Sequence, residues 1–338
     1  MTSSNISASY YHHGRFRVKG GMLPDAVTAF RTYGDPKNPC IVLPSFYSAK
    51  LNDMLYLVGE GKALDTRKYF VVTFALFSNG ESSSPSNTPL PYNGPYFPVI
   101  SYEDNVRAQY TVLTKHLGIT KVHAVSGFSM GGQQAYYWAI MYPDFLERYI
   151  IICSSARTSV HNQCILEGLK ATMTASKDFE GGYYKSAPHH GIRAFARVCS
   201  AWSLSLTWFR ENRHLSGGMY ADLNTFLHEG WEGKYLREWD ANDMLTLMNT
   251  WQTGDVTTIH GDRDLQTALG RIRAKGLIMP CRTDLYFPPE DSKTEVSFLG
   301  DKTELVVIDS IWGHLAGGGA SGEDMAFMEN HIKQFLAG

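Results

Sequence analysis

A chain of 338 residues with 43% hydrophobic side chains is long enough to bury a large core. Its 31 basic and 33 acidic side chains leave it near neutrality, and no block of like charges occurs. That balance argues against nucleic acid or an anionic membrane surface as the main partner, and no run of about 18 apolar residues is present to cross a bilayer.

The start, MTSSNISASYYHHGRFRVKG, lacks the apolar centre of a signal peptide, so a soluble cytoplasmic protein is expected. Short apolar, β-rich runs then recur along the chain: Cys40 to Leu43, Tyr69 to Leu76, Val122 to Val125, Tyr149 to Cys153, Leu277 to Cys281 and Glu304 to Ile308. They alternate with helical stretches such as Tyr102 to Leu117, which reads as an α/β class with a mostly parallel central sheet covered on both faces. Between the second and third runs, Ser78 to Pro98 (SNGESSSPSNTPLPYNGPYFP) is dense in Ser, Pro, Asn and Gly. It reads either as a linker or, following an apolar strand, as a wall of a ligand site. From about Ser159 to Thr267 helical periodicity takes over and aromatics cluster, including Trp202, Trp208, Trp231, Trp239 and Trp251. This segment is expected to be a helical cap, dividing the chain into a core of residues 1–158 and 268–338 and a lid of residues 159–267.

The third apolar run leads into VHAVSGFSMGG, in which Gly127-Phe128-Ser129-Met130-Gly131 has the G-x-S-x-G form. A strand before it and helix-tolerant residues after it are the setting of a nucleophile elbow, where the serine hydroxyl projects above a sheet. A glycine-rich packing turn has the same local pattern, so the partners decide. A serine hydroxyl is a poor nucleophile until an imidazole can take its proton, and a carboxylate must hold that imidazole in the right tautomer. Asp284 follows the run ending at Cys281, and His314 follows the run ending at Ile308, in the order serine, acid, histidine. Two backbone N–H groups are expected to receive the oxyanion: that of Met130, and that of Phe46 in the Pro44-Ser45-Phe46-Tyr47 loop.

Five widely spaced cysteines without a C-x-x-C pair read as packing residues rather than a disulfide framework. The histidine pairs His12-His13 and His189-His190 are adjacent, not three or four apart as zinc ligands on a helix are, so no metal is expected.

Several stretches in order resemble the homoserine O-acetyltransferase family of α/β-hydrolases. They are FPVISYEDNVRAQYTVLTKHLGITKVHAVSGFSMGGQQAYYWAIMYPD, SSARTSVHN, REWDANDMLTLMNTW, TDLYFPPED and SIWGHLAGG, and together they span nearly the whole chain. The resemblance implies an α/β-hydrolase core with a helical lid, acyl transfer through Ser129, and a homodimer formed by the lid helices. Family members acting on homoserine place an aspartate after the histidine to bind the substrate amine, and here Leu315 stands there. An apolar side chain cannot balance a buried ammonium. The family's carboxylate-binding arginine corresponds to Arg197, while its tyrosine seven residues on is Leu204. Arg197 is read either as a grip on an anionic substrate or as half of a structural ion pair. The oxyanion loop, Pro-Ser-Phe-Tyr, also differs from the family's His-Ala-Leu-Thr.

The expected function is hydrolysis of an ester or thioester larger and less charged than a homoserine ester, through an acyl-enzyme on Ser129, without a cofactor. The alternative is O-acyl transfer from acetyl-CoA, as co-substrate, to an alcohol other than homoserine. A third reading, a binding protein or lyase on the same fold, makes no acyl-enzyme.

Overall fold

A computed structural model describes residues 7–338. Eight strands form one sheet in the order β1-β2-β4-β3-β5-β6-β7-β8. The strands are β1 (Ser9–Val18), β2 (Gly21–Tyr33), β3 (Cys40–Pro44), β4 (Phe70–Phe74), β5 (Val122–Phe128), β6 (Leu146–Ile152), β7 (Lys275–Met279) and β8 (Thr303–Leu305). Pairing is antiparallel from β1 to β2 and from β2 to β4, and parallel everywhere else.

Side chains alternate across the sheet, as the two-residue repeat of a strand requires. Val42, Val125, Ile151 and Ile278 enter one core cluster, while their neighbours Ile41, Ala124, Ile150 and Leu277 enter the other. The first cluster is covered by α1 (Tyr102–Thr111) and α2 (Met130–Met141), the second by residues of the C-terminal helix such as Met328 and Ile332. Both faces being apolar explains why these strands read as continuous hydrophobic runs.

The first two strands have no counterpart among the runs expected from the sequence. β1 is an edge strand, half exposed, whose register against β2 shifts on either side of Gly14. Polar residues on its open face and the bulge break the alternation that would have marked it. The serine-rich stretch after β4 packs into the fold, and its later residues, among them Pro85, Ser86, Leu90 and Tyr96, line a pocket against Tyr183, Tyr184 and Asn242. Ser82, Ser83 and Ser84 are buried, and the hydroxyls of Ser82 and Ser83 accept from the N–H groups of Ala29 and Val27 on β2. Hydroxyls here replace a missing strand neighbour, so a polar composition is compatible with a packed loop.

Between β6 and β7 the chain passes through α3 (Val160–Thr174), α4 (His189–Ser203), α5 (Leu206–Arg210), α6 (Leu223–Thr225), α7 (Gly233–Glu238), α8 (Ala241–Gln252) and α9 (Leu265–Leu269). Then come α10 (Pro289–Leu299) after β7 and α11 (Gly322–Ala337) after β8. Arg157 and Asp255 pair with each other across the helical excursion as an isolated β-bridge. Asp243 on α8 ties the excursion to the serine-rich loop by accepting from the N–H and hydroxyl of Ser86, at 2.9 and 2.6 Å. All five cysteines are free; Cys40, Cys153, Cys199 and Cys281 are buried and Cys164 is exposed. Among the described residues no helix is long and apolar enough to cross a membrane, and no group of three or more His, Cys, Asp or Glu side chains could hold a metal ion.

Candidate active site

Ser129 sits where β5 turns into α2, with φ 55° and ψ −125°. A non-glycine residue at positive φ costs about 1–3 kcal/mol and persists only where its surroundings hold it. Two bonds do so: the Ser129 N–H donates to the Ile152 carbonyl at 2.9 Å, and the Ser154 hydroxyl donates to the Ser129 carbonyl at 2.7 Å. The tight turn also dictates the flanking glycine. A Cβ on Gly127 would lie 2.1 Å from the backbone of Gly131, an overlap nothing in the turn can relieve.

The three widely separated side chains expected to act together do meet. His314 Nε2 is 2.8 Å from Ser129 Oγ, and His314 Nδ1 is 2.7 Å from Asp284 Oδ2. An ionised carboxylate only accepts, so Nδ1 carries the ring proton and Nε2 is left to accept from the serine hydroxyl. The other carboxylate oxygen of Asp284 accepts from the N–H groups of Tyr286 and Phe287, at 2.8 and 3.1 Å. All three residues are buried, at 2% exposure for Ser129, 3% for Asp284 and 6% for His314. The imidazole is packed among rings, with Phe128, Tyr286 and Phe287 centroids at 4.7, 5.1 and 5.6 Å.

Phe46, in the loop after β3, and Met130, the first residue of α2, flank this group. Among the described residues, neither backbone N–H has a protein acceptor. Gln134 on α2 steadies the loop after β3 by donating to the Ser45 carbonyl at 2.9 Å, while the Ser45 hydroxyl accepts from Leu76 N–H. These supporting polar residues were missed in the sequence, although a Gln133-Gln134 pair inside an otherwise apolar helix is itself a signal. Buried amides need partners, and partners across elements fix a loop.

A cavity of about 440 Å³ opens over Ser129 and His314, within the range typical of small-molecule sites. Phe46, Phe128, Trp231, Trp251 and Leu315 give it apolar walls, and Asp53 and Lys234 also line it. No residue of the serine-rich loop lines it. Arg197 does not line it either: its guanidinium is bonded to the buried carboxylate of Glu232 and, at 3.1 Å, to Asn224. Of the two readings of Arg197, this arrangement favours the ion pair. Leu315 lines the cavity, and it also packs with Leu204, Trp208 and Phe226 of the helical excursion.

Residues 51–316 match the family model described as the alpha/beta hydrolase fold. The chain is 34% identical to an ethyl acetate hydrolase of Pseudomonas veronii, covering 97% of this chain and 98% of that protein. It is 33% identical to a homoserine O-acetyltransferase of Methanosalsum zhilinae over 76% of this chain and 55% of the relative. Its structure superposes on that of the acetyl esterase MekB with a TM-score of 0.94 at 32% identity, covering 98% and 97% of the two chains. The chain belongs to the α/β-hydrolase family, as a divergent relative of the homoserine O-acetyltransferases with esterases among its similar proteins.

Proposed function

We propose that this enzyme hydrolyses small carboxylic esters through an acyl-enzyme on Ser129. The observation that carries the reading is the pair of bonds linking Ser129 Oγ to His314 Nε2 and His314 Nδ1 to Asp284. Its similarity to an ethyl acetate hydrolase and an acetyl esterase supports the ester as substrate class.

In this mechanism Ser129 Oγ attacks the ester carbonyl as its proton passes to His314 Nε2. The imidazolium is stabilised by Asp284, which stays ionised. Negative charge on the carbonyl oxygen is received by the N–H groups of Phe46 and Met130. Collapse breaks the bond to the alcohol, which leaves with the proton from His314. Water then attacks the acyl carbonyl, gives a proton to His314, and the second collapse returns Ser129 and releases the acid.

Leu315 argues against homoserine as an acyl acceptor. It supplies no carboxylate for an ammonium group, and Arg197 is already occupied by Glu232. The second reading, transfer from acetyl-CoA to another alcohol, draws on the acetyltransferase relatives and uses the same steps with an alcohol in place of water. The helical excursion is read as a lid over residues 159–267. Its exposed Val160, Leu206 and Met219 make a homodimer through these helices the expected assembly.

The test is to supply p-nitrophenyl acetate and acetyl-CoA separately, with and without alcohols that include homoserine. Nitrophenolate release that alcohols do not accelerate supports hydrolysis. Thiol release from acetyl-CoA that requires an alcohol replaces it with the acyltransferase, and strong homoserine acetylation refutes the argument from Leu315.

A further inference from the structure

One wall of the cavity is crowded with hydroxyl groups that lack good partners. Tyr47, Cys199, Ser203, Tyr235 and Tyr286 all line the cavity, and each is at least nine-tenths buried. The Cys199 sulfur lies 3.6 Å from the Tyr286 hydroxyl, 3.7 Å from that of Ser203 and 3.9 Å from that of Tyr235. The only closer contact in the group is Ser203 to Tyr286, at 3.4 Å. The Tyr47 hydroxyl has no hydrogen-bond partner among the described residues.

Each hydroxyl has one proton to donate, and a thiol is a weak acceptor. Ser203, Tyr235 and Tyr286 therefore reach one another or the soft Cys199 sulfur only at 3.4 to 3.9 Å, with either atom of each pair able to donate, and the Tyr47 hydroxyl has no partner among the described residues. Burial pushes the thiol upward from its ordinary pKa, which keeps the sulfur neutral and weak as an acceptor. The group carries no formal charge, and its protons are held only by long contacts or, at Tyr47, by none, so a neutral oxygen with lone pairs complements it. Buried donors left unpaired are destabilising, and such sites in folded proteins call for an explanation in terms of function.

We propose that this hydroxyl wall is a second recognition point for the substrate, which takes a keto or ether oxygen carried by the ester at a distance from the scissile carbonyl. The inference rests on ester hydrolysis at Ser129 and narrows it: the preferred ester is bifunctional, with an acceptor oxygen remote from the bond that is cut. The same wall discriminates against hydrocarbon analogues, because these leave the hydroxyls unpaired.

Two matched ester pairs test this. In the acyl part, p-nitrophenyl 4-oxopentanoate is compared with p-nitrophenyl 4-methylpentanoate; in the alcohol part, acetonyl acetate is compared with isobutyl acetate. Within each pair one oxygen replaces one methyl. The expected result is a kcat/KM ratio of about tenfold in favour of the oxygenated ester in at least one pair, the worth of one neutral hydrogen bond. Tyr235→Phe and Tyr47→Phe should each lower that ratio at least threefold, and Tyr47→Phe should not lower Tm, since it removes a hydroxyl that has no partner. Ratios below threefold in both pairs overturn the proposal, and so does a preference that both variants keep in full. The same esters are titrated into Ser129→Ala protein by the fluorescence of Trp231 and Trp251, which line the cavity. If the parent protein cleaves none of them, ester hydrolysis itself falls, while the Kd ratio in Ser129→Ala still decides the hydroxyl wall.

Discussion

Replacing Asp284 by asparagine should leave the fold intact and reverse the polarity of His314. Asp284 uses its two oxygens differently: Oδ1 accepts from two backbone N–H groups, and Oδ2 faces His314 Nδ1 at 2.7 Å. In Asp284→Asn the carbonyl oxygen must stay on the two N–H donors, because an amide NH₂ there would face two donors and leave them unpaired. The NH₂ then points at Nδ1 and donates to it, which moves the ring proton to Nε2. That nitrogen now donates toward Ser129 Oγ and cannot take its proton. A tautomer reversal of this kind lowers kcat on the order of 10⁴-fold, equivalent to roughly 5–6 kcal/mol of barrier, with Tm close to the parent because the loop's N–H groups remain bonded. The assay is release of nitrophenolate from p-nitrophenyl acetate at pH 7 to 8, with a thermal melt on the same preparation. A loss below tenfold, in protein that melts with the parent, would refute the assignment of His314 as base and Asp284 as the group that orients it.

Gly127→Ala should disable the site without touching a reacting group. The added Cβ would fall 2.1 Å from the Gly131 backbone, so the elbow must open; loss of labelling by a fluorophosphonate in a still-folded or destabilised protein is the expected readout. Arg197→Met should lower Tm by the equivalent of about 1–2 kcal/mol, the partly exposed Arg197 being one partner of buried Glu232. KM should stay near the parent value, and a large rise in KM with unchanged Tm would return Arg197 to substrate binding. Glu295 is fully enclosed, and burial pushes its pKa up to about 8 although it accepts from the Tyr136 hydroxyl and the Ala156 N–H. The unfolded chain ionises near pH 4.5 while the folded protein holds the proton, so this residue costs stability progressively as pH rises from about 4.5 to 8 and by a constant amount above that. Glu295→Gln should therefore flatten the fall in denaturant midpoint over that window, and an unchanged slope would show that Glu295 ionises normally.

The central strands and the elements on which Ser129, Asp284 and His314 lie were legible in the sequence because they carry local signals. Strands buried on both faces are continuous apolar runs, and a tight turn between strand and helix needs glycine where backbone meets backbone. The edge hairpin was not legible. β1 has one face to solvent and a bulge at Gly14, so its pattern is that of a loop. The serine-rich stretch misled for a related reason: composition reports how polar a segment is, not whether its hydroxyls find backbone partners on a neighbouring strand.

The sequence by itself determined the α/β class, the order of serine, acid and histidine, and the apolar residue that follows the histidine. Only the tertiary structure decided that these side chains stand 2.8 and 2.7 Å apart, that Arg197 is spent on Glu232, and that underbonded hydroxyls line the cavity. The division follows from the range of the forces involved. Backbone preference and burial periodicity act over a few residues and leave a trace in the chain. Hydrogen bonds and ion pairs depend on contacts such as Ser129 with His314, 185 residues apart in sequence, which exist only once the sheet has brought its loops to one edge.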